Sequence, residues 1–304
     1  MKKLLLILLC LPLLFNSCRT INIKEGMMLK NSEYDYEKYS KYIIESTLND
    51  KEKLTNITHN VINTENENVY SDTTINLKRK FKSINDSISM EYFVFEPNRI
   101  KQIGIFYLCA GCNVLNFIEH LSKLSSETNS KIYVLHYRDY GKSEGNISFD
   151  TQFNDNQFFI NDIIQSEDSI NFIVGYSLGT VFATYSAVDN KIDELYLLAT
   201  FSNVEQMLKQ AIRSFTKGIR IIYRPFLKIQ IAESLLRISN LNKIKNYEGN
   251  LTIIHGNKDM QTPYKGAVSM YEECLSKNKK LFTIKNGGHE MSAEHWNKLN
   301  DLLK

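Results

Sequence analysis

The sequence predicts an α/β fold with a mostly parallel, doubly wound sheet. Short apolar runs alternate with helical stretches from residue 75 onward, and such alternation indicates βαβ units with helices on both faces of a sheet. The chain has 304 residues, of which 43% are hydrophobic and 11% aromatic. It can therefore bury the core of one large domain, or of two ordinary ones at most. In a doubly wound sheet, ligands bind at the carboxyl ends of the strands.

The strands and helices follow from local patterns of apolar residues. Two strands, at 75–81 and 89–95, flank the turn-prone pair Asn85-Asp86. Buried strands are then predicted at residues 103–108, 132–136, 171–174, 194–198, 251–254 and 281–284, with helices between them at 114–124, 153–164 and 180–188. The interval 203–247 has no convincing strand pattern and is broken near Gly218 and Pro225. It predicts a helical lid inserted between two strands of a domain that spans residues 75–304.

The N-terminal region predicts a targeting segment. Lys2 and Lys3 precede an unbroken apolar run at 4–15, which is too short for a membrane-spanning helix of about 20 residues but typical of a signal peptide. Residues 1–17 are therefore the predicted signal peptide. Residues 18–33 are polar and irregular, as in a tether, and residues 34–74 form an N-terminal extension with weak signals.

Ser17-Cys18 follows the apolar run at once and resembles a bacterial lipobox, with Phe15 where leucine is usual. The resemblance implies that Cys18 becomes the lipidated first residue of an exported lipoprotein, anchored to a membrane of the bacterial cell envelope. An ordinary signal peptide with an incidental Cys18 is the alternative.

The charge balance favours no nucleic-acid partner. The formal net charge is +3, and the leader lysines account for two of these positive charges, so the remaining chain is nearly neutral. The expected partners are a small-molecule or lipid acyl substrate, and a membrane reached through the lipid anchor.

The pentapeptide Gly175-Tyr176-Ser177-Leu178-Gly179 is the strongest chemical feature. It follows a predicted strand and opens a predicted helix, which is the context that the G-x-S-x-G nucleophile elbow requires. Gly175 and Gly179 allow a turn so tight that the serine hydroxyl projects. The helix N-terminus offers free amides to a developing oxyanion.

A serine nucleophile needs a base, and the base needs an orienting acid. Asp259 follows the predicted strand 251–254, and His289 follows the predicted strand 281–284. The order Ser177, Asp259, His289, each after a separate strand, predicts a catalytic triad.

With these residues in place, the chain resembles the α/β-hydrolase superfamily, and particularly its abhydrolase-domain serine hydrolases. The loop His136-Tyr137-Arg138-Asp139-Tyr140-Gly141-Lys142-Ser143-Glu144-Gly145 resembles the segment after strand four, usually D-Y-R-G-Y-G-x-S-x-G. The resemblance covers residues 75–304. It implies an α/β-hydrolase fold and hydrolysis of an acyl ester, with a lipid or thioester as possible substrate, without metal or organic cofactor.

The predicted oxyanion hole departs from the family pattern. The family commonly has His-Gly-x after strand three, whereas this chain has Cys109-Ala110-Gly111-Cys112-Asn113. Aligning Gly111 with the family glycine predicts that the amides of Cys112 and Leu178 are the two donors.

The same loop leaves alternatives open. Cys109-x-x-Cys112 between a strand and a helix is where a thioredoxin-like thiol oxidoreductase carries its redox pair, and a disulfide without redox function is also possible there. A third alternative is a binding module that has a hydrolase fold but does not use the triad. No metal-ligand spacing occurs in the sequence.

Overall fold

The computed structural model describes residues 19–29, 62–64, 67–71, 75–84, 88–215 and 227–304. The predicted signal peptide, the predicted lipidation site Cys18, and much of the predicted tether and extension lie outside the described residues.

The main sheet of the described part contains ten strands, in the order β12-β11-β9-β8-β6-β7-β5-β4-β3-β2. Their bounds are β2 Ile62–Thr64, β3 Glu67–Ser71, β4 Ile75–Ile84, β5 Ile88–Pro97, β6 Gln102–Tyr107, β7 Ser130–Leu135, β8 Phe172–Tyr176, β9 Glu194–Leu198, β11 Asn250–Gly256 and β12 Lys279–Ile284. Strands β7, β6, β8, β9, β11 and β12 pair in parallel. Strands β5 to β2 continue the sheet in antiparallel pairing. The predicted doubly wound, mostly parallel sheet is confirmed.

The central strands are mostly apolar because both of their faces are covered. All five residues of β8 are buried, and so are the last four of β9. The flanking helices are α2 Ile118–Thr128, α3 Phe149–Glu167, α4 Gly179–Asp189, α8 Tyr264–Glu273 and α9 Ala293–Leu303. Helix α2 packs with α9, while α3 packs with α4. These separate groups are expected when helices lie on opposite faces of a sheet.

The interval predicted to be an all-helical lid contains a strand, so that part of the prediction is wrong. Residues 203–247 form α5 Val204–Phe215, β10 Leu227–Ile231, α6 Glu233–Leu236 and α7 Asn240–Ile244, apart from a stretch outside the described residues. The sequence of β10, Leu-Lys-Ile-Gln-Ile, alternates apolar and polar residues with the period of a strand rather than of a helix. Its partner lies about 200 residues earlier in the chain, so no local turn signal marks it.

That partner is β1 Arg19–Ile23, within the segment predicted to be an irregular tether. Strands β1 and β10 form a separate two-stranded parallel sheet, in register from Arg19 with Leu227 to Ile23 with Ile231. The short helix α1 Glu25–Met28 follows β1. The tether prediction is therefore wrong for residues 19–29, which the structure places in regular structure.

The residues around α1 attach this segment to the domain that contains the main sheet. Ile23 and Leu29 are buried. The Phe149 amide, at the start of α3, donates to the Glu25 carboxylate over 3.0 Å, and a negative charge at a helix N-terminus is favourable. Residues 19–29 are thus an integral part of the fold.

No helix in the described ranges is both long enough and apolar enough to span a membrane.

Candidate active site

Ser177 lies on a strained turn between β8 and α4. Its φ is +53°, which is unusual for a residue with a side chain and costs conformational energy. The chain closes tightly around it: a Cβ on Gly175 would lie 2.6 Å from the Gly179 carbonyl oxygen, and a Cβ on Gly179 would lie 2.1 Å from the Tyr107 carbonyl oxygen. Both positions therefore require glycine. The Ser177 amide donates to the Leu198 carbonyl oxygen over 2.9 Å, which ties the turn to β9.

The structure brings the three predicted triad residues together. The loop after β11 carries Asp259 and the loop after β12 carries His289, and both loops open at the same edge of the sheet as Ser177. His289 Nε2 lies 3.0 Å from Ser177 Oγ, and His289 Nδ1 lies 2.8 Å from Asp259 Oδ2. This is the nucleophile–base–acid relay in which an imidazole can take up the serine proton.

Asp259 is held as an anion. The amides of Gln261 and Thr262 donate to its Oδ1, each over 2.8 Å, and the Thr262 hydroxyl donates to Oδ2 over 2.6 Å. Burial raises the pKa of Asp259, but the hydrogen bond and charge of His289, with the Thr262 bonds, outweigh it and hold that pKa below its usual value. The acid therefore remains ionised at neutral pH.

Two residues at the triad were not identified from the sequence. Thr262 Oγ1 lies 3.1 Å from His289 Nδ1 and so contacts both base and acid. Tyr176 stacks on the His289 ring at a centroid distance of 5.8 Å, and its hydroxyl donates to the His289 carbonyl oxygen over 3.2 Å. The sequence offered one signal for each residue. Thr262 follows Asp259 by three positions, as in a turn in which the Asp side chain accepts from nearby groups, and Tyr176 lies within the elbow motif.

His255 and His295 are two further buried histidines near Asp259. His255 Nε2 is 2.9 Å from the Thr200 carbonyl oxygen and 4.0 Å from Asp259 Oδ2. Burial lowers the pKa of both histidines. His289 is thus the histidine that makes a short hydrogen bond to Asp259.

The two predicted oxyanion donors have different environments. The Leu178 amide precedes α4 and donates to no acceptor among the described residues, so it can donate a hydrogen bond to an oxyanion. The Cys112 amide instead donates to the Cys109 carbonyl oxygen over 3.3 Å, and the Gly111 amide donates to the Tyr140 hydroxyl over 2.9 Å. The assignment of Cys112 as a donor to substrate is therefore corrected. Alignment on one glycine does not reveal which amides a tight turn uses internally.

Cys109 and Cys112 are joined by a disulfide, one of the alternatives that the sequence left open. Cys274 is a free thiol, and burial raises its pKa. The disulfide lies in the loop after β6, directly beside the nucleophile elbow.

A fully buried pair supports that loop from behind. Glu91 and His136 have no exposed surface, and Glu91 Oε2 accepts a hydrogen bond from His136 Nδ1 over 2.8 Å. His136 Nε2 then accepts from the Val114 amide over 3.0 Å, which fixes the imidazole tautomer. The Lys142 amide also donates to Glu91, over 2.7 Å. The pair therefore joins the loop after β7 to the loop after β6.

No family model matches the sequence, and no curated protein matches it. Solved structures, by contrast, share its fold. The esterase Pf2001 from Pyrococcus furiosus aligns with a TM-score of 0.62 at 15% identity, covering 82% of this chain and 96% of the esterase. Mouse α/β hydrolase domain-containing protein 10 aligns with a TM-score of 0.54 at 15% identity, covering 74% of this chain and 96% of the mouse chain.

A monoacylglycerol lipase from Paleococcus ferrophilus also aligns, with a TM-score of 0.54 at 17% identity, covering 70% of this chain and 98% of the lipase. At such identities the similarity establishes the fold, which is that of the α/β hydrolases.

Proposed function

We propose that the protein is a serine hydrolase that cleaves acyl esters through an acyl-enzyme intermediate. The observation that carries this proposal is the continuous hydrogen-bond relay from Ser177 through His289 to Asp259, mounted on a strained elbow. Strain of this kind persists where the surroundings enforce it, often because function depends on it.

In the proposed reaction, Ser177 Oγ attacks the acyl carbonyl carbon as His289 Nε2 takes its proton. The negative charge on the carbonyl oxygen is stabilised by the Leu178 amide at the N-terminus of α4. His289 then protonates the departing alcohol, and water releases the acyl group by the same steps. Asp259 keeps His289 in the tautomer that presents an unprotonated Nε2 to the serine.

The structural neighbours favour an ester over other acyl substrates. Those with a stated activity include esterases and a monoacylglycerol lipase, and an acetyl xylan esterase from Thermoanaerobacterium aligns over 93% of this chain with a TM-score of 0.53 at 12% identity. A lipid ester or thioester would use the same chemistry.

The function is tested with p-nitrophenyl esters of graded chain length and with a fluorophosphonate probe, which labels an activated serine. We expect Ser177→Ala to abolish labelling and to lower the hydrolysis rate by at least about 10³-fold. The matched control is Ser166→Ala on the exposed side of α3, which should keep the wild-type rate. Residual activity of Ser177→Ala within about tenfold of wild type would contradict the mechanism. A folded wild-type protein that the probe does not label would favour the binding-module alternative.

We also propose that Cys18 carries a lipid that anchors the protein to a membrane. The lipobox-like sequence supports this proposal. Strand β1 starts at the next residue. A lipid on Cys18 would hold the β1–β10 sheet, and with it the insertion, close to the membrane surface. An acyl lipid would then be a substrate within reach.

A further inference from the structure

The loop between β6 and the 3₁₀ turn Val114–Phe117 uses four consecutive amides internally. Each of them donates to an acceptor within the protein: Gly111 to the Tyr140 hydroxyl, Cys112 to the Cys109 carbonyl, Asn113 to Asn116 Oδ1, and Val114 to His136 Nε2. None of these amides is directed to a substrate oxygen in this conformation. The donor that complements Leu178 must therefore lie earlier in the loop.

The Ala110 amide meets this requirement. Within residues 88–215, which the structure describes without a gap, it donates to no acceptor, and Ala110 is exposed whereas Cys109 is buried. A substrate can reach an amide at an exposed position. Ala110 is also the second residue of the turn from Cys109 to Cys112.

Strand pairing puts Ala110 beside the elbow. Tyr107 of β6 is in register with Gly175 of β8, and two residues further along each chain lie Cys109 and Ser177. Ala110 lies three residues beyond Tyr107 of this register pair, in the loop that leaves β6 beside the elbow. The close contact of Gly179 with the Tyr107 and Leu108 carbonyls confirms that α4 begins against the end of β6.

We propose that the Ala110 amide is the second oxyanion donor and that the Cys109–Cys112 disulfide fixes the turn that presents it. This inference rests on the proposed hydrolase function. Gly111 has a φ of +67°, and with the hydrogen bond from the Cys112 amide to the Cys109 carbonyl this defines a type II turn. The disulfide joins the first and fourth residues of that turn. Because a preorganised donor needs no rearrangement during the reaction, the covalent closure contributes to the rate.

The test uses the one residue that fits this turn and has no amide hydrogen. Proline is favoured at the second position of a type II turn but lacks the N–H group. We expect kcat/KM of Ala110→Pro to be about 10²-fold lower than that of Ala110→Ser, which keeps the amide. Both variants should retain the disulfide and the wild-type melting temperature. Equal kcat/KM in these two folded variants would overturn the donor assignment.

The disulfide is tested separately, so that a poorly folding proline variant does not decide the result. Reduction of wild type by a dithiol, which is oxidised as Cys109 and Cys112 become thiols, should lower kcat several-fold and leave KM nearly unchanged. The Cys109→Ser/Cys112→Ser variant should show the same low kcat and no response to the dithiol. Equal kcat in oxidised and reduced wild type would overturn the role of the disulfide.

Wild type and Ser177→Ala are measured in the same assay. Absence of Ser177-dependent turnover would remove the proposed function and the donor role together. Ser177-dependent turnover that is insensitive to Ala110→Pro would remove the donor role alone.

Discussion

Glu91 is a carboxylate without exposed surface, and its ionisation depends on its partners. Burial raises its pKa, but His136, the Lys142 amide and Arg79 outweigh that effect and lower the pKa to about 2, from an ordinary value of 4.5. The folded state thus binds this proton less tightly than the unfolded chain does. The resulting stabilisation is complete above about pH 4.5 and is lost as the pH falls towards 2.

We expect Glu91→Gln to lower the free energy of unfolding at pH 7 by about 3 kcal/mol, because it leaves the buried His136 and the partly buried Arg79 without their anion. The difference from wild type should shrink at pH 2.5, where wild type has lost most of this stabilisation. Urea unfolding of both proteins at pH 7 and at pH 2.5 measures this difference in the free energy of unfolding. Glu119→Gln, at an exposed position, is the control with a near-zero effect. An equal loss at the two pH values would show that the charge of Glu91 is not responsible.

At the same scale, the sequence predicted the site best where a short motif dictates geometry. Ser177 could be identified because the flanking glycines and the strand–helix context leave one backbone path. Asp259 and His289 followed from their positions after strands. The proposed second oxyanion donor could not be derived from the sequence, since it depends on which amides of the 109–112 turn already donate within the protein. The bond from Thr262 to the acid likewise depends on how the loop after β11 folds back.

At the scale of elements, the β1–β10 sheet joins the N-terminal segment, residues 19–29, to the inserted interval 203–247. The Ala232 amide donates to the Ile23 carbonyl oxygen over 2.9 Å just beyond the strands. Leu29, after α1, has 0% exposure, whereas Met27 on α1 is 63% exposed. These neighbouring residues offer a matched pair of apolar side chains in opposite environments.

Leu29→Ala should reduce the free energy of unfolding by about 2–4 kcal/mol, because it removes buried methyl groups and leaves a cavity. Met27→Ala should change it by less than about 0.5 kcal/mol. Urea denaturation gives both values, and hydrogen exchange of the β10 amides reports whether the insertion loosens as well. If the two variants lost equal stability, residues 19–29 would not be docked as described.

Strands were predictable where both of their faces are buried and where the strands that they pair with are close in sequence. Strands β8 and β9 are continuous apolar runs between helices, and their positions were predicted within a few residues. Strand β10 was missed because its isoleucines also fit a helical spacing with Leu235 and Ile238. Strands β2 and β3 were missed because they are short and lie in an Asn- and Thr-rich region.

For the whole molecule, the fold was predictable because alternating strands and helices admit few arrangements, whereas membrane attachment remains a prediction. We expect Cys18→Ala to abolish incorporation of an alkyne fatty acid in cells, since the acceptor thiol is lost. Cys10→Ala, within the predicted leader, should be labelled like wild type. Equal labelling of Cys18→Ala and wild type would show that the lipid, if present, is attached elsewhere.

The pairing of Arg19 with Leu227 also has a consequence for folding. Contacts between residues so far apart form slowly, because the entropy cost of closing a long loop comes before the strands gain any stabilisation from pairing. At synthesis rates of about 5–20 residues per second, roughly 10–40 s separate the two strands. Strand β1 therefore remains an unpaired edge while strands β2 to β9 are made. The pairing of β1 with β10 is therefore completed only after Ser177 has been synthesised.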